Sequence, residues 1–394
     1  MPSPTRRTLP AVGALTGVLL LLTACSGGSG HDDGNRRQVE DTDRQLRARA
    51  VAATDVLLAG YDAVIAGPGA AKAEVLGDLR DEVAEHRAAL AEGLPGDSPA
   101  APSGTAATAS STAPADPPAS VAALAAAERE TAGARLADLD AASPELARLL
   151  AAVSASDAVH AALLGDTAPI AAANPAGLPS PAASAAAATG TAGTAAGATP
   201  AAAPSTGGPS PTAAPLPSPD AASLQSVLSA EHAAVYGYGV VGAFLPAGAQ
   251  REDGRGTYAA HQARRDSWQR LLSGRGASPT AAAAGYRLPF AVKDAATAGQ
   301  LAAHIESQLT TVYADLVTAS PGPLRAEAAA ALRECALRAV HWGAELPALP
   351  GLADPAAGGD ATDGPLDGAT PGAATGTATN AAAPEAVASA SSAA

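Results

Sequence analysis

Apolar residues recur at steps of three and four along two separate parts of this chain, the periodicity of helices that bury one face. In the first part the pattern predicts helices over Arg36–Ile65, Ala71–Glu92 and Ala119–Leu139, and a fourth from Ser143 to Leu164. Gly67-Pro68-Gly69, Gly93 and Gly165 supply the stops, and Ser143-Pro144 is an N-cap followed by proline in the first turn. The second part predicts Leu224–Phe244, Gly256–Leu272, Ala295–Ala319 and Pro323–Leu346, closed by Pro347, Pro350 and Gly351. Tyr286–Phe290 reads as irregular, because Pro289 interrupts any ladder or helix there. The expectation is an all-α protein of two four-helix bundles, at 36–168 and 220–352.

Between and beyond these parts the pattern disappears. Residues 95–118, 169–219 and 353–394 are Ala/Pro/Ser/Thr/Gly tracts with almost no large apolar side chain. They cannot bury enough surface to offset the entropy of ordering, so they read as a disordered loop, linker and tail.

The two helical parts echo each other. Ala137-Asp138-Leu139 and Ala142-Ser143-Pro144 recur as Ala314-Asp315-Leu316 and Ala319-Ser320-Pro321. Ala158-Val159-His160 recurs as Ala339-Val340-His341, Gly60-Tyr61 as Gly237-Tyr238, and Ser98-Pro99 as Ser278-Pro279. A fixed order of matches across four helices points to internal duplication.

The N-terminus has a different pattern. Arg6 and Arg7 precede a short apolar run, Val12–Leu22, which falls well short of the ~20 residues a bilayer requires. Leu22-Thr23-Ala24-Cys25 resembles the lipobox of bacterial lipoproteins. That resemblance implies a signal peptide over 1–25, lipidation of Cys25, a flexible tether over 26–35, and a protein held on the extracytoplasmic face of the cell membrane. Thr5-Arg6-Arg7-Thr8-Leu9 also resembles part of a twin-arginine signal; general secretory export fits the same residues.

Composition narrows the functions. With 40 Gly, 33 Pro and 3% aromatic residues, the folded parts must be Ala-rich helices in close contact. A net charge of -14 argues against nucleic acid and anionic lipid as partners. If Cys25 carries lipid, Cys335 is left without a disulfide partner and reads as a small buried hydrophobe.

The apolar stripes carry chemistry in a few places. The fourth helix runs Leu146, Leu149, Val153, Asp157, His160, Leu164, so a carboxylate and an imidazole point into the core. The second aligns Leu79, Glu82, His86 and Leu90, and the third Val121, Leu124, Glu128 and Leu139. The first offers two registers, one through Val51, Asp55, Leu58 and Asp62, the other through Leu57 and Tyr61. Buried charges need a partner or a metal. Asp55, Glu82, His86, Glu128, Asp157 and His160 together approximate the layout of ferritin-like di-iron or di-manganese bundles, so iron or manganese is the candidate cofactor. Two departures weaken the match: Asp157 replaces Glu, and Glu82 and His86 stand four residues apart rather than three. A structural Glu/Asp/His network is the competing reading. In the second part the candidate polar core is Glu231, His261, Asp266, Glu306, Glu334, Arg338 and His341. Alignment of the repeats puts Arg338 opposite Asp157, where it should pair with Glu306, Glu334 or Asp266 in place of a metal.

Three motifs then carry a resemblance: Glu231-His232-Ala-Ala-Val-Tyr236-Gly-Tyr238-Gly-Val-Val, His261-x-x-Arg264-Arg265-Asp266, and Tyr286-x-Leu-Pro289-Phe290. Over Ser223 to about Leu352 the chain resembles a ferritin-like family of unknown function, domain of unknown function 4439. Its members are secreted, often lipid-anchored actinobacterial proteins. The resemblance implies a ferritin-like four-helix bundle and no particular activity. No Gly-x-Ser-x-Gly elbow, P-loop or His-Glu-x-x-His is present. The expected function is a membrane-anchored, non-catalytic binding or scaffold module of the cell envelope, with an envelope protein as partner. The alternative is a di-metal or redox protein using the first bundle.

Overall fold

A computed structural model describes residues 30–67, 73–95, 117–167 and 218–352. The expected signal peptide, Cys25, most of the expected 95–118 loop, almost all of the expected linker and all of the expected tail lie outside them. Every regular element among the described residues is an α-helix: α1 Gly30–Ile65, α2 Ala73–Ala91, α3 Val121–Asp138, α4 Pro144–Leu163, α5 Ser218–Phe244, α6 Ala249–Gly274, α7 Ala295–Ala319 and α8 Gly322–His341. The described residues fall into two units, the first ending at Asp41 within α1 and the second beginning at Thr42; the packed core belongs to the second.

Local chemistry sets the helix ends. The Ser120 hydroxyl accepts from the Ala123 amide and that of Ser143 from Leu146, each satisfying a free amide of the first turn. Asp294 and Thr297 form a reciprocal capping box on α7. Four boundaries differ most from the periodicity. Helix α1 begins at Gly30, within the expected tether and six residues before Arg36, and α5 begins at Ser218, six residues before Leu224. Helix α6 begins at Ala249, seven residues before the expected Gly256, because Gly254 is a packing position: a Cβ there would stand 2.9 Å from Leu245 Cδ1. Helix α8 stops at His341 because Gly343 adopts a φ of 89°.

On α1 the second register prevails. Leu46, Ala50, Thr54, Leu57 and Tyr61 are buried, whereas Asp55 is exposed and accepts from Arg87 Nε at 2.5 Å. Burying a tyrosine ring and two leucines removes more apolar area from water than the alternative face could. Helix α4 is the most enclosed element. From Leu146 to Ala161 every residue but Arg148 is buried. It is long and apolar enough to cross a membrane by composition, yet 83% of that window is covered by protein, the signature of a core helix.

Helix α4 also joins the two halves, packing on both α7 and α8. One apolar cluster runs without a break from Leu46, Leu90, Leu146, Leu150 and Val153 to Leu309, Leu324 and Leu332. Two arginines cross this seam. Arg325, buried on α8, donates from Nη1 to the carbonyls of Leu139 and Ala142, both at 2.9 Å, and from Nε to that of Ser320 at 2.8 Å. Carbonyl oxygens thus satisfy this buried guanidinium. Arg148 reaches the other way, to the Gly351 carbonyl at 3.0 Å and Asp315 at 2.9 Å. Only glycine fits at 351: φ is 82°, and a Cβ would meet the Thr310 carbonyl oxygen at 2.6 Å.

Candidate functional site

Two polar clusters lie inside this apolar frame, one in each half. In the N-terminal cluster, His160 of α4 is fully buried between two carboxylates. Its Nε2 lies 2.9 Å from Glu82 Oε2 on α2, and its Nδ1 lies 3.4 Å from Glu128 Oε1 on α3. Burial by itself would lower the His160 pKa, but these two carboxylates outweigh it and raise the pKa to about 9. The ring is therefore an imidazolium at neutral pH. Tyr61 donates to the same Glu128 oxygen at 2.8 Å, and Ser156 Oγ lies 3.2 Å from His160 Nε2.

A second strand of the cluster runs beside it. Arg135 of α3 forms a buried ion pair with Asp157 through Nη1 and donates to Thr54 Oγ1 from Nη2 at 2.8 Å. Thr54 Oγ1 in turn donates to the Ala50 carbonyl at 2.8 Å. Burial brings the Arg135 pKa down to about 10, with the charge of Glu128 opposing, so the guanidinium stays charged. His86 stacks on His160 with ring centroids 5.6 Å apart. Burial and the charge on His160 hold its pKa well below the ordinary 6.5, so it is neutral. Its Nε2 faces the Ala348 carbonyl at 2.7 Å, which fixes the proton on that nitrogen. The C-terminal half thus caps the polar core of the N-terminal half.

The C-terminal cluster repeats the scheme with other groups. His261 of α6 sits between Glu231 Oε2 at 2.8 Å and Glu306 Oε1 at 3.0 Å. Burial opposes its charge, but the two carboxylates prevail and raise its pKa to about 9. Burial alone would raise Glu231 and Glu306; the charge of His261 prevails and lowers both. Tyr238 donates to Glu306 Oε1 at 2.7 Å, and Tyr313 donates to Glu231 Oε1. Trp268 Nε1 donates onward to Tyr313 at 3.3 Å. Glu334 receives Arg264 at 2.5 Å and Arg338 at 3.3 Å.

The same positions carry the rungs in both halves. Tyr61–Glu128 and Thr54–Arg135 link α1 to α3; Tyr238–Glu306 and Glu231–Tyr313 link α5 to α7. In every one of these four helices the two rung residues stand seven apart in sequence, two turns on one face.

Of the residues singled out from sequence, Glu82, His86, Glu128, Asp157 and His160 come together. Asp55 does not, since α1 turns it outward to Arg87. In the C-terminal half Glu231, His261, Glu306, Glu334 and Arg338 cluster, and Arg338 takes Glu334 as its partner. Asp266 is half exposed and pairs with its neighbour Arg265, because α6 turns Arg264 and Trp268 inward instead. His341 is 59% exposed at the end of α8 and pairs with Asp253. Periodicity gave no notice of Arg135, since a long cation on a helix is normally solvated. Its alignment with Glu128, seven residues earlier on the same face, was the available signal.

Could the N-terminal cluster hold a pair of metal ions? Both ring nitrogens of His160 already face carboxylates, and Arg135 brings its guanidinium to Asp157, where a second cation would be needed. Among the described residues no group of three or more His, Cys, Asp or Glu side chains is arranged to hold a metal ion. The donor set present does not fit a di-metal centre.

A protein whose described elements are all helices, with a Tyr–Glu–His cluster inside each half, is the class these observations define. Comparison with known proteins places one part of it further. Residues 223–354 match the family described as Domain of unknown function (DUF4439), the same stretch whose motifs resemble it. Among solved structures, the chain is similar to a conserved hypothetical protein, rv2844, from Mycobacterium tuberculosis. The two are 38% identical over 32% of this chain and 96% of that one, with a TM-score of 0.31. No curated protein matches.

Proposed function

We propose that this protein is a lipoprotein anchored through Cys25 to the extracytoplasmic face of the cell membrane, serving as a non-catalytic binding or scaffold module of the envelope. On this reading its two halves are ferritin-like four-helix bundles that arose by duplication. The observation that carries the non-catalytic part is the internal balance of charge. His160 and His261 each stand between two carboxylates, Arg135 holds Asp157, and Arg264 and Arg338 hold Glu334. Ferritin-like centres use such carboxylates to bind two metal ions. Here imidazolium and guanidinium groups supply the positive charge. The rungs seven residues apart on matching helices support duplication, and the Leu22-Thr23-Ala24-Cys25 sequence supports the anchor.

Two measurements test this. Wild-type chain should fractionate with membranes and Cys25→Ser should not; equal solubility of both removes the anchor. The chain downstream of Cys25, purified without chelator, should carry no stoichiometric iron, manganese or zinc. A metal that disappears in His160→Ala would favour the second reading, a di-metal or redox protein using the N-terminal half. One observation speaks for that alternative: His86 Nδ1, Glu128 Oε2 and Asp157 Oδ1 are buried without a hydrogen-bond partner.

A further inference from the structure

Tryptophan and tyrosine, the rings most easily oxidised by one electron, are unevenly placed in this chain. Both tryptophans and five of the six tyrosines lie in the C-terminal half, between Tyr236 and Trp342. The N-terminal half has Tyr61 alone. In a chain that is 3% aromatic, this concentrates the oxidisable side chains around one polar cluster.

Two pairs of rings reach that cluster. Trp268 donates to Tyr313, and both are sealed in the core. The other pair opens outward. Trp342, just beyond the end of α8, is partly exposed, and its ring centroid lies 6.5 Å from that of the buried Tyr238. Electrons pass readily between rings this close, so an electron vacancy formed on Trp342 is one short step from the core.

The proton has a route in the same pair. Trp342 Nε1 is buried and has no hydrogen-bond partner among the described residues. An indole radical cation sheds its proton from that nitrogen; with no acceptor beside it, the vacancy stays mobile. Tyr238 is the opposite case. Its hydroxyl donates to Glu306 Oε1 at 2.7 Å, within reach of direct proton transfer. Oxidising a buried phenol without moving its proton would add a positive charge to the core, beside the His261 ring stacked 5.2 Å away. Passing the proton to Glu306 removes that cost, because a phenol radical cation is a far stronger acid than a carboxylic acid.

We propose that Trp342 and Tyr238 form a one-electron oxidation site, at which a peroxyl-type radical is reduced and the vacancy comes to rest on Tyr238. The radical takes one electron from the Trp342 indole and a proton from water, and leaves as a hydroperoxide. Tyr238 returns an electron to Trp342 and releases its phenolic proton to Glu306, becoming a neutral phenoxyl radical. The chain thus loses one electron and keeps the proton. This activity goes beyond the scaffold reading and does not rest on the Cys25 anchor.

Pulse radiolysis of the full chain in azide solution tests it, because the azide radical removes single electrons from accessible indoles. Indolyl absorption should appear first and convert to phenoxyl absorption at a rate independent of protein concentration. Trp342→Phe should abolish that conversion, and Tyr238→Phe should slow the decay of the indolyl signal at least about tenfold. Glu306→Gln keeps a carbonyl oxygen for the phenol but cannot take its proton, so it should slow the decay likewise. Trp268→Phe should change nothing. Circular dichroism checks the fold of each variant; Tyr238→Phe, which keeps the ring, decides the matter if Glu306→Gln does not fold. Variants that lower the denaturation midpoint but keep wild-type radical kinetics would make the Tyr238–Glu306 bond purely structural and overturn the proposal. So would an indolyl signal that persists in the wild type, or a conversion that depends on Trp268 rather than Trp342.

Discussion

The two polar clusters share a framework and differ in how they are closed. In the C-terminal half three carboxylates, Glu231, Glu306 and Glu334, meet three cations, His261, Arg264 and Arg338, all from α5–α8. The N-terminal half offers Glu82, Glu128 and Asp157 against His160 and Arg135, and its remaining histidine is kept neutral. That neutral His86 is capped by the Ala348 carbonyl from the other half. One cluster is complete within its own helices; the other depends on its neighbour. Corresponding positions in two halves can thus keep a hydrogen-bond geometry while the groups that occupy them change, provided that each buried charge still finds an opposite charge or a carbonyl.

The sharpest way to break the comparison is Arg135→Met. It strands Asp157, a fully buried carboxylate, and should cost about 3–5 kcal/mol. Arg264→Met should cost less, because Arg338 still faces Glu334 and that carboxylate is partly wet. Urea denaturation of both variants orders them; equal losses would show that the clusters do not differ in self-sufficiency. Asp157→Leu added to Arg135→Met should recover part of the loss.

Gly351→Ala tests the seam on which the N-terminal cluster depends. A left-handed residue costs about 1–2 kcal/mol for a side chain with a Cβ, and relief of the overlap with Thr310 adds to it. Hydrogen exchange should rise around His86 more than around His261. Uniform exchange across both clusters would mean that the cap is dispensable.

Tyr61→Phe and Tyr238→Phe each remove a donor to a buried carboxylate and should cost about 1.5–3 kcal/mol. Matched losses, read from denaturation midpoints, would confirm that the two rungs are equivalent. A gap larger than the error would show that only one is needed.

The gentlest probe is pH. His160 and His261 hold protons to about pH 9, whereas an unfolded histidine loses its proton near 6.5. Between those values the folded state binds more protons, so their stabilisation is complete below about pH 6.5 and fades as pH rises toward 9. His86 has the opposite sign: its pKa is lowered, so stability should also fall as pH drops below about 6.5. Each group contributes at most about 1.4 kcal/mol per pH unit. The thermal midpoint of His261→Gln should lose part of the alkaline slope and keep the slope that His86 gives just below about pH 6.5. An unchanged alkaline slope would sink the assignment of His261 as an imidazolium.

Much of this was legible in the linear sequence because it rests on local periodicity. The helical class, the cap at Ser143, and the inward aim of Asp157 and His160 follow from which residues share a helical face or open a helix. The register of α1 did not. The helical period alone allows Asp55 or Leu57 to face inward, and the choice fell to the larger apolar area that Leu46, Leu57 and Tyr61 bury against the other helices. Asp266 and His341 were misplaced for the same reason, since one helix cannot say which edge of its apolar face another helix will cover. Partners far apart in sequence were beyond reach altogether: Ala348 for His86, Leu139 and Ala142 for Arg325. These pairings depend on how α4 settles against α7 and α8, which is the sum of many small apolar contacts rather than the property of any one residue. Sequence alone determined that polar groups on the apolar stripes, Glu128, Asp157 and His160 among them, would have to be buried. Tertiary structure decided which opposite charge or carbonyl each would meet, because a buried polar group accepts any partner of the right sign, and only packing fixes which one arrives.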